Sequence, residues 1–258
     1  GIAQSRNIGT QAAKSPIILI ADADDIFPPS RIEEQVNYLN QHPKIGAVGA
    51  YAQAIDAQGE RLGIIKSPLD DVSIKTEMKT RVSILHCTLA ARKEILINSG
   101  GYREKFIAAS DYDLLSRLSE QTTMVTIPTV LCHYRLTPNS ISIRRREVQK
   151  SCIDLVKRFA KERSLFGLDS YEKFKTDELK EKIEQQNENS QHARYHLYVG
   201  KLAGAAGLTQ IARRHYLISL LKNPLQLKTY LLLLISLAGR QTYQAVQRTL
   251  GTTKIDPE

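Results

Sequence analysis

The sequence has 258 residues, of which 42% are hydrophobic and 24% charged, which is the composition of an ordinary globular protein. A chain of this length can bury one large core or two smaller ones. Its longest apolar run, Leu231 to Leu237, is too short to cross a bilayer, and no signal peptide is visible. The three cysteines are an odd number without metal-ligand spacing, so they predict reduced thiols and a cytoplasmic protein.

The formal net charge of +9 is unevenly distributed along the chain. Residues 1–138 contain 15 basic and 15 acidic side chains, whereas residues 139–258 contain 21 basic and 12 acidic ones. The basic second half predicts an anionic partner, such as membrane headgroups or the acidic face of a protein. Nucleic acid is not predicted, because the sequence has no interleaved aromatic and basic residues and no recognition motif. A solvated helical surface would explain the same charges.

The elements predicted in the first part of the chain alternate between helices and strands. Residues 2–14 have the pattern of a weak amphipathic helix, and residues 16–20 form an apolar run typical of a strand buried on both faces. Strands are also predicted at residues 45–55 and 83–91, with a short helix over residues 70–80 between them. This mixture predicts an α/β fold.

Three carboxylates, those of Asp22, Asp24 and Asp25, follow the first predicted strand. They lie at the carboxyl end of that strand, which is the edge where ligands bind in open α/β sheets. Crowded carboxylates repel one another unless a cation neutralises them, and their oxygens suit hard ions such as Mg²⁺ or Mn²⁺. The segment thus predicts a divalent metal site that holds phosphate groups. A solvated acidic turn that caps the next helix is the alternative.

A second group of acids begins a helix predicted over residues 110–118. On a helical wheel Asp111 lies with the leucines of this helix, whereas Asp113 lies on the opposite side, four residues before Arg117. We therefore expect Asp113 and Arg117 to form a weak, exposed ion pair. Asp111 is expected to point inward, where the helix dipole helps to keep it ionised and able to accept a proton. Capping of backbone amides is the alternative role of Asp111.

A strand predicted over residues 125–135 is interrupted at Pro128, ends at Arg135 and precedes the basic run Arg144–Arg146. Such a run can clamp phosphates, although it more often begins a solvated helix.

From residue 147 onward the chain has helical patterns, broken by a polar stretch at residues 184–190. Beyond that stretch the spacing of Gly200, Gly207 and Tyr216 is typical of a tetratricopeptide-type hairpin. These patterns predict three parts: an α/β domain at residues 1–146, a helical connector at 147–190 and a helical hairpin tail at 191–258.

Five segments, in their order and spacing, resemble the motifs of family 2 glycosyltransferases, which have the GT-A fold. They are Ala3–Gly9 (AQSRNIG), Ile20–Asp25 (IADADD), Gly100–Tyr102 (GGY), Ser110–Leu114 (SDYDL), and Tyr134–Arg135 followed by Asn139–Ser142 (NSIS). Together they span residues 1 to about 146. The resemblance implies a GT-A mixed sheet flanked by helices, to which the all-α tail is added.

The resemblance also implies a site. Asp22 and Asp24 occupy the positions of the Asp-x-Asp segment, which holds Mn²⁺ or Mg²⁺ and the diphosphate of a nucleotide-sugar. Asp111 occupies the position of the general base, with Ser110 in place of the usual Glu. Arg6 belongs to the "Arg-Asn" segment, whose basic residue lies near the nucleotide.

The implied reaction moves a sugar from a nucleotide-sugar, expected to be a UDP-sugar, to a hydroxyl of a glycan or lipid-linked acceptor, with inversion at the anomeric carbon. Arg135 or the Arg144–Arg146 run is expected to stabilise the departing diphosphate. Surface polysaccharide or glycan synthesis is the common setting of the family. The basic C-terminal helices are expected to contact the inner face of a membrane or a partner protein.

The family's opening strand, which contacts the nucleoside, has no counterpart in the sequence and would precede Gly1. We therefore expect the first central strands to be missing. A nucleotidyltransferase is one alternative, but it needs a glycine-rich phosphate loop that the sequence does not contain. A non-catalytic protein that binds a partner through its helical tail is another, although the intact Asp22, Asp24 and Asp111 favour an enzyme.

Overall fold

The computed structural model describes residues 1–140, 146–180, 188–237, 243 and 255–256. They form a mixed sheet with helices on both faces and further helices beyond it. The helices are α1 (Ile2–Ala12), α2 (Arg31–Gln41), α3 (Asp71–Met78), α4 (Lys93–Asn98), α5 (Ser110–Gln121), α6 (Arg146–Phe166), α7 (Asp177–Lys180), α8 (Glu188–Ala205), α9 (Thr209–Lys222) and α10 (Leu227–Leu237). The strands are β1 (Ile17–Leu19), β2 (Ile45–Ile55), β3 (Arg61–Ile65), β4 (Ala90–Arg92), β5 (Thr123–Arg135) and β6 (Ile255–Asp256).

Strand β2 is the centre of the sheet. Along one side it pairs in parallel with β5, and along the other it pairs antiparallel with β4 and then with β3. The sheet continues through β1 beside β4 and through β6 beside β3, both antiparallel. Every β2 residue except Tyr51 is buried, as expected for a strand covered on both faces.

The two faces of the sheet carry separate cores. Ala47 and Ala91 pack with residues of α3, α5 and α6, whereas their neighbours Val48 and Ala90 pack with residues of α2. Because successive strand residues point to opposite faces, α2 and α5 lie on opposite sides of the sheet. The predicted α/β class, with a mixed sheet flanked by helices, is confirmed.

The strand predicted at residues 16–20 is shorter and less enclosed than expected. Only Ile17–Leu19 pair with a neighbour, and that neighbour, β4, runs antiparallel. Ile17 is buried, but Ile18 and Leu19 are half-buried. The prediction of a strand buried on both faces is therefore wrong for most of its length.

The strand predicted at residues 83–91 is wrong except at its end. A 3₁₀ turn occupies His86–Thr88, and β4 begins only at Ala90. The Thr88 hydroxyl donates to the Leu85 carbonyl at 2.7 Å and accepts the Ala50 N–H at 3.2 Å. A side chain therefore replaces the backbone ladder at this point, which favours the turn.

The helices after residue 146 contribute to two cores. Val148, Cys152 and Phe159 of α6 belong to the same core as α5. Helices α8 and α9 form a hairpin, in which a Cβ at Gly200 would lie 2.6 Å from the ring of Tyr216. The predicted boundaries at residues 146 and 190, and the likeness to a tetratricopeptide unit, stay predictions. Among the helices the structure describes, none has both the length and the apolar character needed to cross a membrane.

Candidate active site

The three carboxylates lie on a loop that leaves β1 and is held against β5. Ile26 and His133 exchange two backbone hydrogen bonds, of 3.1 and 2.7 Å. Within the loop the Asp25 N–H donates to the Asp22 carbonyl at 3.2 Å, which closes a tight turn. The acidic loop is therefore fixed against the edge of the sheet.

A buried arginine of α2 supports this loop from behind. Arg31 is only 3% exposed; its Nη2 donates to the Ile20 carbonyl at 2.7 Å and its Nε to Gln35 Oε1 at 3.0 Å. Its guanidinium also lies 4.3 Å from the centroid of the Phe27 ring, a cation–π contact. Arg31 is not predicted as a site residue from the sequence, because a charged residue at the start of an amphipathic helix has the pattern of a solvated one.

The three acids have different surroundings. Asp22 forms an ion pair with Arg6 of α1, with Nη2 and Oδ1 2.8 Å apart. Asp24 is exposed, and within the described part of the chain its carboxylate has no partner. Asp25 is half-buried, and this burial raises its pKa, although its Oδ1 accepts the Arg135 N–H at 2.8 Å.

The side chain of Arg135 binds backbone carbonyls. Its Nε donates to the Asp24 carbonyl at 2.9 Å, and its Nη1 lies 3.3 Å from the carbonyls of both Asp56 and Ala57. Arg135 thus fastens the acidic loop to the turn between β2 and β3. Its predicted contact with a diphosphate stays a prediction, and the side chains of Arg144–Arg146 lie outside the described residues.

The predicted Arg-Asn and Gly-Gly-Tyr segments contact each other. Asn7 donates from Nδ2 to the Tyr102 carbonyl at 2.8 Å and accepts the Tyr102 N–H at Oδ1 at 2.7 Å. Gly101 has φ +63°, and a Cβ there would lie 2.6 Å from Asn7 Oδ1. The turn needs glycine both for its backbone conformation and for space. These contacts fix α1 beside the segment that leads to α5.

The side chain of Tyr102 lies between the acidic loop and the start of α5. Its hydroxyl is 2.7 Å from Nε2 of His86, whose pKa is lowered to about 3 by burial and then by Arg6, so this imidazole is neutral. Burial raises the pKa of Tyr102, Arg6 lowers it, and Asp111 and Asp22 raise it further. Asp22 and Asp111 are therefore close enough to act on the same hydroxyl.

The expected burial of the two acids of α5 is wrong. Asp113 is fully buried and pairs with Arg117, with Oδ2 and Nη2 2.6 Å apart, whereas Asp111 is only partly buried. The helical wheel failed because α5 packs against α3, α4, α6 and β5, and so has no broad solvent face. Oδ1 of Asp111 accepts the N–H of Tyr112 at 2.8 Å, which is the capping contact considered as its alternative role.

Arg117 connects the buried ion pair to the glycine turn. It donates from Nη1 to the Ser99 carbonyl and from Nη2 to the Gly101 carbonyl, the latter at 2.7 Å. Just before α5, Ala109 has φ +55°, a conformation that is unfavourable for a residue other than glycine. The start of α5, with Asp111, is thus held in a defined position by a buried charge and a strained backbone residue.

Together the fold and the site define a class: an α/β domain in which a mixed sheet carries a carboxylate loop at one edge, with a further acid at a helix start beside it. Residues 1–100 match the family model described as Glycosyl transferase family 2. The resemblance that the motifs predict is therefore confirmed over these residues.

The curated relatives carry the same type of name. The chain is 28% identical over 147 residues to the amylovoran biosynthesis glycosyltransferase AmsE of Erwinia amylovora, which covers 56% of this chain and 54% of that protein. It is 25% identical over 164 residues to an uncharacterized glycosyltransferase of Haemophilus influenzae, covering 61% of this chain and 55% of the relative. The chain therefore spans about half the length of the curated relatives it matches.

Among solved structures, one similar chain is the mannosyltransferase PcManGT from Pyrobaculum calidifontis in complex with GDP-Man and Mn²⁺. It shares 18% identity and a TM-score of 0.42, over 98% of this chain and 68% of that chain. A similarity at this level carries no argument about the substrate or metal of the present chain.

Proposed function

We propose that this chain acts as an inverting glycosyltransferase that moves a sugar from a nucleotide-sugar donor to an acceptor hydroxyl. The observation that supports the proposal is the arrangement around Tyr102. Arg6 pairs with Asp22 at 2.8 Å and lies 5.5 Å from the centroid of the Tyr102 ring, and Asp111 and Asp22 both raise the pKa of the Tyr102 hydroxyl. The acidic loop at the sheet edge and the acid at the start of α5 therefore both lie near Tyr102. The match of residues 1–100 to the family model supports the reaction class, and Asp22 and Asp111 are the two acids that this class of reaction needs.

The residues of the acidic loop fit a hard divalent ion. Asp24 offers a carboxylate that no described residue occupies, and Asp22 uses Oδ1 for Arg6, which leaves Oδ2 for a ligand. Carboxylate oxygens are the ligands that Mg²⁺ and Mn²⁺ prefer. When bound to Asp22 and Asp24, such an ion would offset the negative charge of the diphosphate leaving group.

Asp111 is the proposed general base. The acceptor hydroxyl attacks the anomeric carbon while the bond between that carbon and the diphosphate oxygen breaks, and the hydroxyl proton passes to the Asp111 carboxylate. A single displacement inverts the configuration of the anomeric carbon. Asp111 lies in the first turn of α5, and its partial exposure lets an acceptor reach it.

The proposed donor is a UDP-sugar, and the proposed acceptor is a glycan or a lipid-linked glycan in the cytoplasm. The name of the relative in amylovoran biosynthesis supports a role in polysaccharide synthesis. The tail is proposed to bind a membrane surface or a partner protein, because Leu227, Leu231 and Leu234 of α10 are 81%, 56% and 64% exposed beside Lys228.

The proposal is tested by donor binding and by turnover. Thermal-shift and calorimetric titrations compare UDP-, GDP- and dTDP-sugars with and without Mn²⁺. Asp24→Asn should remove the Mn²⁺-dependent part of binding, whereas Asp111→Asn should keep donor binding and lower transfer by at least about 100-fold. Asp154→Asn, which changes an exposed carboxylate of α6, is the matched control. Unchanged turnover in Asp111→Asn removes that residue as the base, and the failure of every nucleotide-sugar to bind contradicts the function itself.

A further inference from the structure

Two cysteines and a carboxylate lie together directly behind the acidic loop. The sulfur atoms of Cys87 and Cys132 are 3.6 Å apart, and the Cys132 sulfur is 3.7 Å from Asp25 Oδ2. The three candidate ligand atoms all lie within 4.8 Å of one another. The 3₁₀ turn, strand β5 and the acidic loop each contribute one of the residues, so the fold itself assembles the group.

Two of the three separations within this group match those between ligands of a tetrahedral ion. A tetrahedral Zn²⁺ with Zn–S distances of about 2.3 Å and a Zn–O distance of about 2.0 Å sets a sulfur–sulfur distance of about 3.8 Å and a sulfur–oxygen distance of about 3.5 Å. The structure has 3.6 Å between the sulfurs and 3.7 Å between the Cys132 sulfur and Asp25 Oδ2. These two separations therefore agree with a tetrahedral site to about 0.2 Å, and the third lies within 4.8 Å.

The orientation of the carboxylate also suits a ligand. Asp25 Oδ1 accepts the backbone N–H of Arg135, and this bond leaves Oδ2 directed at the sulfur of Cys132. A ligating carboxylate that is held by a further hydrogen bond is typical of metal sites. Cys87 and Cys132 are 2% and 0% exposed, while Asp25 is only partly buried, so the open side of the group is the acidic loop.

The environment can balance the charge of a bound ion. Two thiolates and a carboxylate carry three negative charges, against two positive charges on the ion. The buried guanidinium of Arg31 lies close enough to Cys132, Cys87 and Asp25 that all three act on its pKa, which burial lowers. Arg31 therefore supplies the remaining positive charge. Apolar side chains surround the sulfurs and keep water from them: Ala52, Phe27, Leu85 and Tyr134.

We propose that Cys87, Cys132 and Asp25 form a binding site for a thiophilic divalent ion, of which Zn²⁺ is the best fit, with water as the fourth ligand. On binding, two metal–sulfur bonds and one metal–oxygen bond form, the two thiol protons pass to solvent, and no electron is transferred. Thiolates select such an ion over the Mg²⁺ or Mn²⁺ that suits Asp22 and Asp24. The bound ion joins the acidic loop to β5 and the 3₁₀ turn, and this proposal does not depend on the transferase activity.

The test uses Co²⁺ as a spectroscopic probe of the full, reduced and chelator-stripped chain. We expect one equivalent of Co²⁺ to produce the sulfur-to-cobalt charge-transfer absorption and the visible bands of a tetrahedral site, and Zn²⁺ to displace it. Cys87→Ser and Cys132→Ser should each weaken binding by more than about tenfold, since even changes outside the ligand set cost that much. Cys152→Ser is the matched control, because this buried cysteine belongs to a different core.

Three outcomes would overturn the site. The first is the absence of the charge-transfer absorption in the unmodified chain, a measurement that does not depend on how any variant folds. The second is full retention of the absorption in Cys87→Ser or Cys132→Ser, with far-UV circular dichroism confirming that the variant is folded. The third is displacement of Co²⁺ by excess Mg²⁺, which would assign the ion to Asp22 and Asp24 instead.

Discussion

Replacing Arg117 with methionine tests the buried ion pair of α5. Arg117 and Asp113 have side chains that are 3% and 0% exposed, and the change leaves the Asp113 carboxylate without its main partner. Breaking a buried pair by removing one member costs about 3–5 kcal/mol, because the remaining charge is not compensated. Nη1 of Arg103 stays 3.5 Å from Asp113 Oδ1, so we expect a loss near the lower end, about 3 kcal/mol.

The assay is urea unfolding followed by far-UV circular dichroism and tyrosine fluorescence, since the chain has 11 Tyr and no Trp. Arg81→Met is the control variant. Its pair with Glu77 has the same spacing of four residues, with an N–O distance of 3.1 Å, but the Arg81 side chain is 55% exposed. An exposed pair of this kind contributes about 0.5 kcal/mol or less. If both variants lose equal amounts of unfolding free energy, below about 1 kcal/mol, then Arg117 and Asp113 do not form a buried pair. The result would instead favour the exposed pair that the helical wheel predicts.

Two further predictions concern the glycine turn and the helical tail. Gly101→Ala should cost about 2–4 kcal/mol of unfolding free energy, because its Cβ meets Asn7 Oδ1. Gly100→Ala also has positive φ, but the nearest atom to its Cβ, Arg117 Nη1, is 4.0 Å away, so the cost should be about 1–2 kcal/mol; thermal unfolding compares the two. Burial, and then His215, lowers the pKa of His196 to about 4. Folding therefore favours neutral His196, so its contribution is complete above about pH 6.5 and is lost as the pH falls toward 4. Because solvent screens this half-buried ring, we expect a loss of about 1 kcal/mol at pH 5. His196→Gln should flatten the melting temperature between pH 7 and pH 5, and an unchanged profile would contradict this assignment.

Elements with one clear pattern were predictable from the sequence. The strand predicted at residues 45–55 coincides with β2, because a continuous run of small and apolar residues is what a central, doubly covered strand requires. The helix predicted over residues 70–80 corresponds to α3, whose start is marked by the capping side chain of Asp70. The turn at His86–Thr88 was not predictable, since it depends on hydrogen bonds of the Thr88 hydroxyl that no periodicity reveals.

The site was predictable only where one segment defines it. The carboxylates Asp22 and Asp24 follow a short apolar run, and the structure does place them on a loop at the end of a strand. The burial of Asp111 and Asp113 could not be read from α5 alone, because it depends on four elements that pack around this helix. The same applies to Arg31, whose partner at the Ile20 carbonyl is supplied by the end of a strand and not by its own helix.

The ion pair between Arg6 and Asp22 predicts that removing Arg6 changes the affinities for two ligands in opposite directions. In the structure Arg6 neutralises Asp22, so free Mn²⁺ must compete with a guanidinium that is 2.8 Å from the carboxylate. The same cation would be released to a diphosphate once a donor and a divalent ion occupy the loop. Arg6→Met should therefore strengthen the binding of Mn²⁺ alone, by up to about fivefold for a pair that is 24% and 35% exposed, and weaken the binding of a nucleotide-sugar.

Separate calorimetric titrations with Mn²⁺ and with the nucleotide-sugar measure the two affinities. Lys14→Met, which removes an exposed cation near the end of the same helix, controls for the loss of charge. A parallel fall in both affinities would mean that Arg6 only maintains the shape of the loop. An increase in both would mean that Arg6 competes for the carboxylate without contacting the donor. Only a stronger affinity for Mn²⁺ together with a weaker affinity for the nucleotide-sugar supports a guanidinium that leaves the Asp22 carboxylate to bind the diphosphate. A residue that only maintains the structure of the loop would change both affinities in the same direction.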